Sequence, residues 1–318
     1  MPELPEVEVV RAGLEPAVTG ATVESVEVFD ERSLRRHEGP SEDFVHRLTG
    51  AVFGSPQRRG KFLWIPLASE MTESSGRDSR DSALRTLDEM KNPSFRNGEA
   101  LVVHLGMSGQ VLLREPGSVD NLTRIRFDIT HPVIGRRRIN FVDQRIFGSM
   151  AIDALVDANF GETVPTQVSH IARDPLDPHF DEKLFRTRLA RKNTGIKRAL
   201  LDQGLISGIG NIYADEALWR AKIHYETPTA VLSPARVKLL IAEVRAVMLQ
   251  ALAEGGTSFD EQYKNVNGTS GYFERSLQAY GQQGKPCPRC GRPIVREQFM
   301  NRGSHFCPFC QRMPRTAL

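Results

Sequence analysis

The sequence predicts an α+β chain of several domains: an N-terminal β-sandwich with a leading helix, a helical region behind it, and a small C-terminal zinc ribbon. Three observations carry this. Short β-branched runs, broken by Gly, Pro and Asn, fill the chain up to about residue 150. Beyond it, apolar residues recur at helical spacing. All four cysteines lie in the last 32 of the 318 residues. A chain of this length can bury two or three cores. Domains are expected at 1–150, 151–280 and 281–318.

The opening MPELPEVEVV reads as a helix start. Pro5 suits a first turn, where its missing N–H leaves no bond unmade. Val7, Val10, Leu14 and Val18 follow at helical spacing. The strand runs are ATVESVEVF (21–29), AVFGSPQRRGKFLWIPL (51–67), ALVVHLGMSGQVLL (100–113), RIRFDI (124–129) and RRINFVD (137–143). Residues 68–98 are polar and without period, which predicts a flexible insertion between two strands. The stretch 150–180 is expected to be an interdomain hinge. FDEKLFRTRLA, GIKRALLDQ, NIYADEALWRAKI and SPARVKLLIAEVRAVMLQALAE then read as helices. Ser233 caps the last of these, with Pro234 in its first turn. Residues 255–277, rich in Gly, Ser, Thr and Asn, read as a mobile loop.

The cysteines form CPRC (287–290) and CPFC (307–310), 16 residues apart. Cys287, Cys290, Cys307 and Cys310 fit one tetrahedral Zn2+. Four thiolates fill its coordination sphere, so this zinc holds a fold and performs no chemistry. The chain shows no signal peptide and no apolar run of membrane-spanning length, so a cytoplasmic setting is expected.

A formal net charge of +3 hides an uneven distribution. Residues 1–30 carry seven acids and one Arg, residues 183–198 seven bases and no acid, and residues 285–318 seven bases and one acid. Separate basic blocks in a near-neutral chain suggest a polyanion-facing surface. LISGIGNIYADEALW (205–219) is a glycine-broken turn opening a helix. Backbone N–H groups at such a start can bind phosphate, and Asn211 adds a side-chain donor. Together these features point to DNA.

PELPEVE (2–8), QRRGKFL (57–63), HLGMSG (104–109), GIGNIYADE (208–216) and the paired CxxC motifs stand in one order along the chain. In this it resembles the bacterial formamidopyrimidine-DNA glycosylases, repair enzymes for oxidised purines. The likeness covers nearly everything outside 68–98. It implies a β-sandwich with a leading helix, a helix–two-turns–helix domain and a zinc finger. It further implies a monomer acting on damaged double-stranded DNA at the bacterial nucleoid.

The resemblance also assigns roles. Pro2 would attack a sugar C1′ and expel the damaged base. Its small side chain favours trimming of Met1, which leaves a secondary amine. An α-amine has a pKa of about 8, against about 10.4 for lysine, and the positive end of the following helix disfavours its protonated form. A neutral amine is a competent nucleophile. Glu3 matches the acid that protonates the opening sugar, and Glu6 a supporting carboxylate. Lys61 matches the acid of β-elimination, and Arg302, between the cysteine pairs at a hairpin tip, an arginine linked to δ-elimination. Lys192, Asn211 and Tyr213 match DNA-binding positions. Met107, Arg145 and Phe147 match a wedge that fills the gap when a base leaves the stack.

Two departures from the family stand out. Asp143-Gln144-Arg145 replaces the usual Asp-Pro-Arg, and the family's DNA-binding His is missing near Asn121 and Leu122. Two alternatives stay open: an endonuclease VIII-like glycosylase for oxidised pyrimidines, and a non-catalytic DNA-binding paralogue. The 255–277 loop and Leu4 favour the purine branch, and intact Pro2, Glu3 and Lys61 favour an enzyme.

Overall fold

A computed structural model describes residues 2–68, 98–257, 266 and 271–314. Residues 69–97 of the expected insertion 68–98 and most of the loop after 257 lie outside the described residues. The chain forms two compact units. One gathers Pro2 and Val7–His170; the other gathers Glu3–Glu6, Ile171–Phe259 and Gly271–Leu318.

Helix α1 (Leu4–Val18) forms where the heptapeptide PELPEVE predicts it. From Val7 onward its buried stripe of Val7, Val10, Leu14 and Val18 lies in the core of the first unit. The strands of that unit are β1 (Thr22–Val28), β2 (Val52–Phe53), β3 (Gln57–Arg59), β4 (Phe62–Ala68) and β5 (Glu99–His104). They continue with β6 (Gly109–Arg114), β7 (Thr123–His131), β8 (Gly135–Asp143), β9 (Ser149–Asp157) and β10 (Thr163–Pro165). All pair antiparallel along the path β10-β9-β5-β4-β2-β1-β7-β8-β6, with β3 beside β4. Strands from both ends of that path, β9 and β5 on one side and β6 and β8 on the other, feed one hydrophobic core. The sheet therefore wraps round a single interior, as a sandwich does.

The local patterns explain the faces. In β7, Ile125, Phe127 and Ile129 are buried and the residues between them are polar, so one face meets the core and the other carries the Arg138–Asp128 pair at 2.7 Å. In β4 the run FLWIPL is apolar on both faces, and Leu63–Leu67 is buried throughout.

Two elements escape the periodicity reading. Helix α2 (Ser41–Leu48) buries only Phe44 and Leu48, one turn apart. The other correction is larger. Residues 149–157, expected within a hinge, form β9, which pairs with β5 in register from Ser149↔His104 to Ala154↔Glu99. Met150 and Ile152 are buried in the core, while the outer residues vary too much to mark a strand.

In the second unit the helices are α3 (Glu182–Ala190), α4 (Ile196–Leu200), α5 (Asn211–Ala221) and α6 (Pro234–Ala253). Ser233 caps α6, its hydroxyl accepting from the Arg236 N–H, with Pro234 at the first helical position. Val237, Leu240, Ile241, Val244, Val247, Met248 and Ala251 form its buried stripe. Leu4 belongs to this core. β11 (Val295–Phe299) and β12 (Arg302–Phe306) form an antiparallel hairpin between the cysteine pairs. Among the described residues, no helix is long and apolar enough to cross a membrane.

Candidate active site and nucleic-acid interface

In the second unit the start of α5 is built around the first residues of the chain. Gly210, Ile212 and Tyr213 donate their backbone N–H groups to the Glu3 carboxylate at 2.6, 3.0 and 3.4 Å. Glu3 thus satisfies the orphan donors of this helix end and complements its positive dipole. The glycines are there to admit it. A Cβ on Gly210 would lie 2.3 Å from the Glu3 carboxyl, and one on Gly208, at φ +85°, 2.6 Å from Leu4. The Leu4 N–H donates to the Gly208 carbonyl at 3.0 Å. These amides, expected to hold a phosphate, are therefore occupied by a carboxylate of the same chain. Asn211, the first residue of α5, is buried, and its side-chain amide makes no hydrogen bond among the described residues.

Glu6 is equally enclosed. One carboxylate oxygen accepts from the Glu3 N–H at 2.8 Å. The other accepts from the Tyr213 hydroxyl at 2.6 Å and from the N–H and hydroxyl of Thr257 at 2.8 and 2.9 Å. Tyr213, expected at the DNA, is fully buried, stacked on Phe273 at 5.7 Å and bonded to Glu6. Burial, with the Glu6 and Glu3 charges, drives its phenol far above the usual range. Its side chain is a core strut.

The rest of the motif is spent in the same way. Asp215 pairs with Lys197 at 2.7 Å, both fully buried, and accepts from the Ser304 hydroxyl and the His305 N–H on β12. Lys197 also donates to the Gly303 carbonyl at 3.2 Å. Glu216 gathers the N–H groups of Gln278, Ala279 and Tyr280; burial still raises its pKa. Tyr213, Asp215 and Glu216 each hold a different segment to α5. Sequence reading missed Lys197, Asp215 and Glu216 as anchors. The signal available was the adjacent acids Asp215 and Glu216 within the otherwise apolar run IYADEALW, and Lys197 on the helix before it.

Arg302 opens β12 at the hairpin tip and is exposed, as expected. The four cysteine sulfurs lie within 4.8 Å of one another. A tetrahedral zinc with Zn–S bonds of about 2.3 Å requires sulfurs about 3.8 Å apart, so the set fits. Lys192 is exposed and paired with Asp202 at 2.7 Å.

In the first unit Pro2 is buried and Lys61 half-buried, in the turn between β3 and β4 where Gly60 has φ +58°. His104 lies against Phe62 at 4.9 Å. Burial, then the charges of Arg36, Arg35 and Lys61, push its pKa down to about 4. Neutral His104 therefore adds no charge to this basic cluster. The expected wedge comes from two turns. Met107 is half-buried between β5 and β6; Arg145 and Phe147 are exposed between β8 and β9. Gly106, at φ +62°, brings these turns together, since a Cβ there would meet the Phe147 carbonyl at 2.3 Å. Gln144, the departure from the family, is exposed and holds none of the loop's internal bonds. Leu122, near the missing His, is exposed with φ +63° and offers no side-chain donor.

Comparison with known proteins agrees along the whole chain. Residues 1–150 match the formamidopyrimidine-DNA glycosylase N-terminal domain, 171–262 the H2TH domain of the same enzymes, and 284–312 a zinc finger found in FPG and IleRS. A formamidopyrimidine-DNA glycosylase of Leifsonia xyli is 59% identical, with 98% of this chain and all of that one covered. One of Thermobifida fusca is 51% identical over 100% and 99%. The chain belongs to the formamidopyrimidine-DNA glycosylase family. Its fold is also that of a solved Lactococcus lactis FPG mutant in complex with a Fapy-dG containing DNA, at 30% identity and TM-score 0.76, covering 98% of this chain and 100% of that one. The Lactococcus lactis Fpg complex with an abasic site containing DNA matches at 29% and 0.76, with 98% and 99% covered. The four cysteines, in the family's zinc finger and at bonding distance, hold one structural zinc.

Proposed function

We propose that the protein excises oxidised purines, formamidopyrimidines and 8-oxoguanine, from double-stranded DNA and then cleaves the strand as a lyase. The observation that carries this is the clamp on residues 3–6. Glu3 is held by three backbone N–H groups and by Glu6, so the residue preceding it, Pro2, is presented by a fixed stretch of chain. Once Met1 is removed, the proline nitrogen lone pair forms a bond to C1′ as the C1′–base bond breaks. The departing base takes up the proton the proline nitrogen loses, and Glu3 passes a proton to the ring oxygen as the C1′–O4′ bond breaks and the iminium forms. The iminium then acidifies the C2′ proton; water takes it, the C–H pair becomes the C2′–C3′ double bond, and the C3′–O bond breaks as the phosphate leaves, with Lys61 as the acid. Arg302 assists the second elimination. Lys192, Asn211 and Arg302 are phosphate contacts, and Met107, Arg145 and Phe147 form the wedge. Names shared by relatives at 48–59% identity support the purine reading over the two alternatives.

The protein acts as a monomer at the bacterial nucleoid. Borohydride trapping on duplex containing a formamidopyrimidine tests the chemistry. Pro2→Gly should lose most covalent adduct and strand cleavage while still binding DNA. Adduct at the unsubstituted level would overturn Pro2 as the nucleophile.

A further inference from the structure

The turn between β8 and β9 is held from two sides. Asp143 is fully buried, and its carboxylate accepts from the Ser108 hydroxyl at 2.5 Å, the Arg145 N–H at 3.1 Å and the Gly148 N–H at 2.6 Å. On the other side, the Arg35 guanidinium donates to the carbonyls of Ile146 at 3.1 Å and Gly148 at 2.7 Å, and to that of Phe147. One side chain, more than 100 residues away in sequence, thus satisfies three successive carbonyls. Arg124 adds a bond to the Asp143 carbonyl at 2.8 Å.

This bracing answers a cost. Ile146 is β-branched and sits at φ +56°, a conformation that is unfavourable for such a side chain and persists where surrounding bonds over-determine it. The twisted backbone turns Arg145 and Phe147 outward, and Phe147 is half exposed despite its apolar ring. Arg35 itself sits on a fixed base. It follows the 3-10 turn Glu31–Leu34, capped by Asp30 and pinned by buried Ser33 and Leu34. A guanidinium suits the task because its donors are rigid and forked, whereas a lysine offers a compact point charge on a flexible stem.

We propose that Arg35 is a positioning residue for base extrusion: by clamping the 146–148 carbonyls it preforms the turn that presents Arg145 and Phe147. This rests on the wedge reading of those two residues. Arg35 acts through the loop, so its loss should slow steps that need a base pushed out of the stack and spare those that do not. The experiment is single-turnover cleavage of two duplexes, one with a formamidopyrimidine opposite cytosine and one with a preformed abasic site. It uses Arg35→Ala, Arg35→Lys, Phe147→Ala and the Arg35→Ala/Phe147→Ala double variant, with melting temperatures alongside. Arg35→Ala should slow lesion excision at least tenfold and leave abasic-site cleavage within about twofold. Arg35→Lys should behave as Arg35→Ala does. The double variant should be no slower than the slower single one. Full rescue by Lys, equal losses on both duplexes, or multiplicative effects in the double variant would each overturn the proposal. If Phe147→Ala leaves lesion excision intact, the wedge reading fails; if Phe147→Ala slows it and Arg35→Ala does not, only the role of Arg35 fails.

Discussion

Lys192 and Lys197 stand five residues apart in one basic run, and each bonds an aspartate at 2.7 Å. There the likeness ends. Lys192 and Asp202 are 45% and 38% exposed, whereas Lys197 and Asp215 are 0% and 1% exposed. The first pair lies in high dielectric, is screened by salt, and can be exchanged for a phosphate. The second is shielded from water and further satisfied by Gly303 and β12. Removing one of its partners strands a buried charge. Equal distance and equal chemistry give a solvent-facing pair in one case and an internal strut in the other; burial alone separates them.

The largest test of this contrast removes the metal behind β12. Structural zinc contributes about 10–16 kcal/mol in small zinc domains. Chelation should unfold the hairpin, deprive Lys197–Asp215 of its β12 partners and abolish DNA binding, while the first unit keeps its own melting transition. Trp219, buried beside Cys287 and Cys307, reports on the change, and a Trp64→Phe variant isolates its fluorescence. Unchanged emission and binding without metal would break the link between ribbon and strut.

Cutting the strut itself should come next. Asp215→Ala is expected to destabilise the second unit by about 3–5 kcal/mol, read by urea unfolding. Adding Lys197→Met should recover part of this loss, because the stranded charge is gone. A loss under about 1 kcal/mol would mean that the buried pair behaves like the exposed one.

His104 extends the contrast to the first unit, as a half-buried base with no carboxylate partner among the described residues. Its folded pKa of about 4 lies below the ordinary 6.5. The unfolded chain therefore takes up its proton first. The stability from neutral His104 is complete above pH 6.5 and is lost as pH falls from there towards 4. At about 1.4 kcal/mol per pH unit, the ceiling is about 3 kcal/mol. Denaturant midpoints between pH 7 and 4.5 should show this slope, and His104→Gln should flatten it.

The smallest expected effect on stability is that of Lys192→Ala, about 0–1 kcal/mol. Its effect on DNA should be clear: weaker binding to lesion and intact duplex alike, and a salt slope of log K reduced by about one. A slope equal to that of the unsubstituted protein would remove Lys192 from the phosphate contacts.

Much of the molecule was legible from local pattern. Alternation in 124–129, helical spacing in α1 and α6, the Ser233 cap and the CxxC pairs are short-range signals, and the structure places an element at each. Strand β9 was not legible, because its identity comes from pairing with β5, whose partner residues lie 45 (His104↔Ser149) to 55 (Glu99↔Ala154) positions away. The motif GIGNIYADE marked a site once read together with the basic blocks, yet its residues cannot say which of them face outward. A helix start with free N–H groups and one closed by a distant carboxylate have the same sequence. Residue types and spacing, which act locally, determined the chemistry available to this chain: an amine at Pro2, carboxylates at Glu3 and Glu6, thiolates for zinc, and two basic blocks. Only tertiary structure decided which groups remain available. It buried Tyr213 and Lys197, gave the α5 amides to Glu3 and set Arg35 on the 146–148 carbonyls, because desolvation and hydrogen-bond satisfaction depend on what long-range folding brings alongside each group.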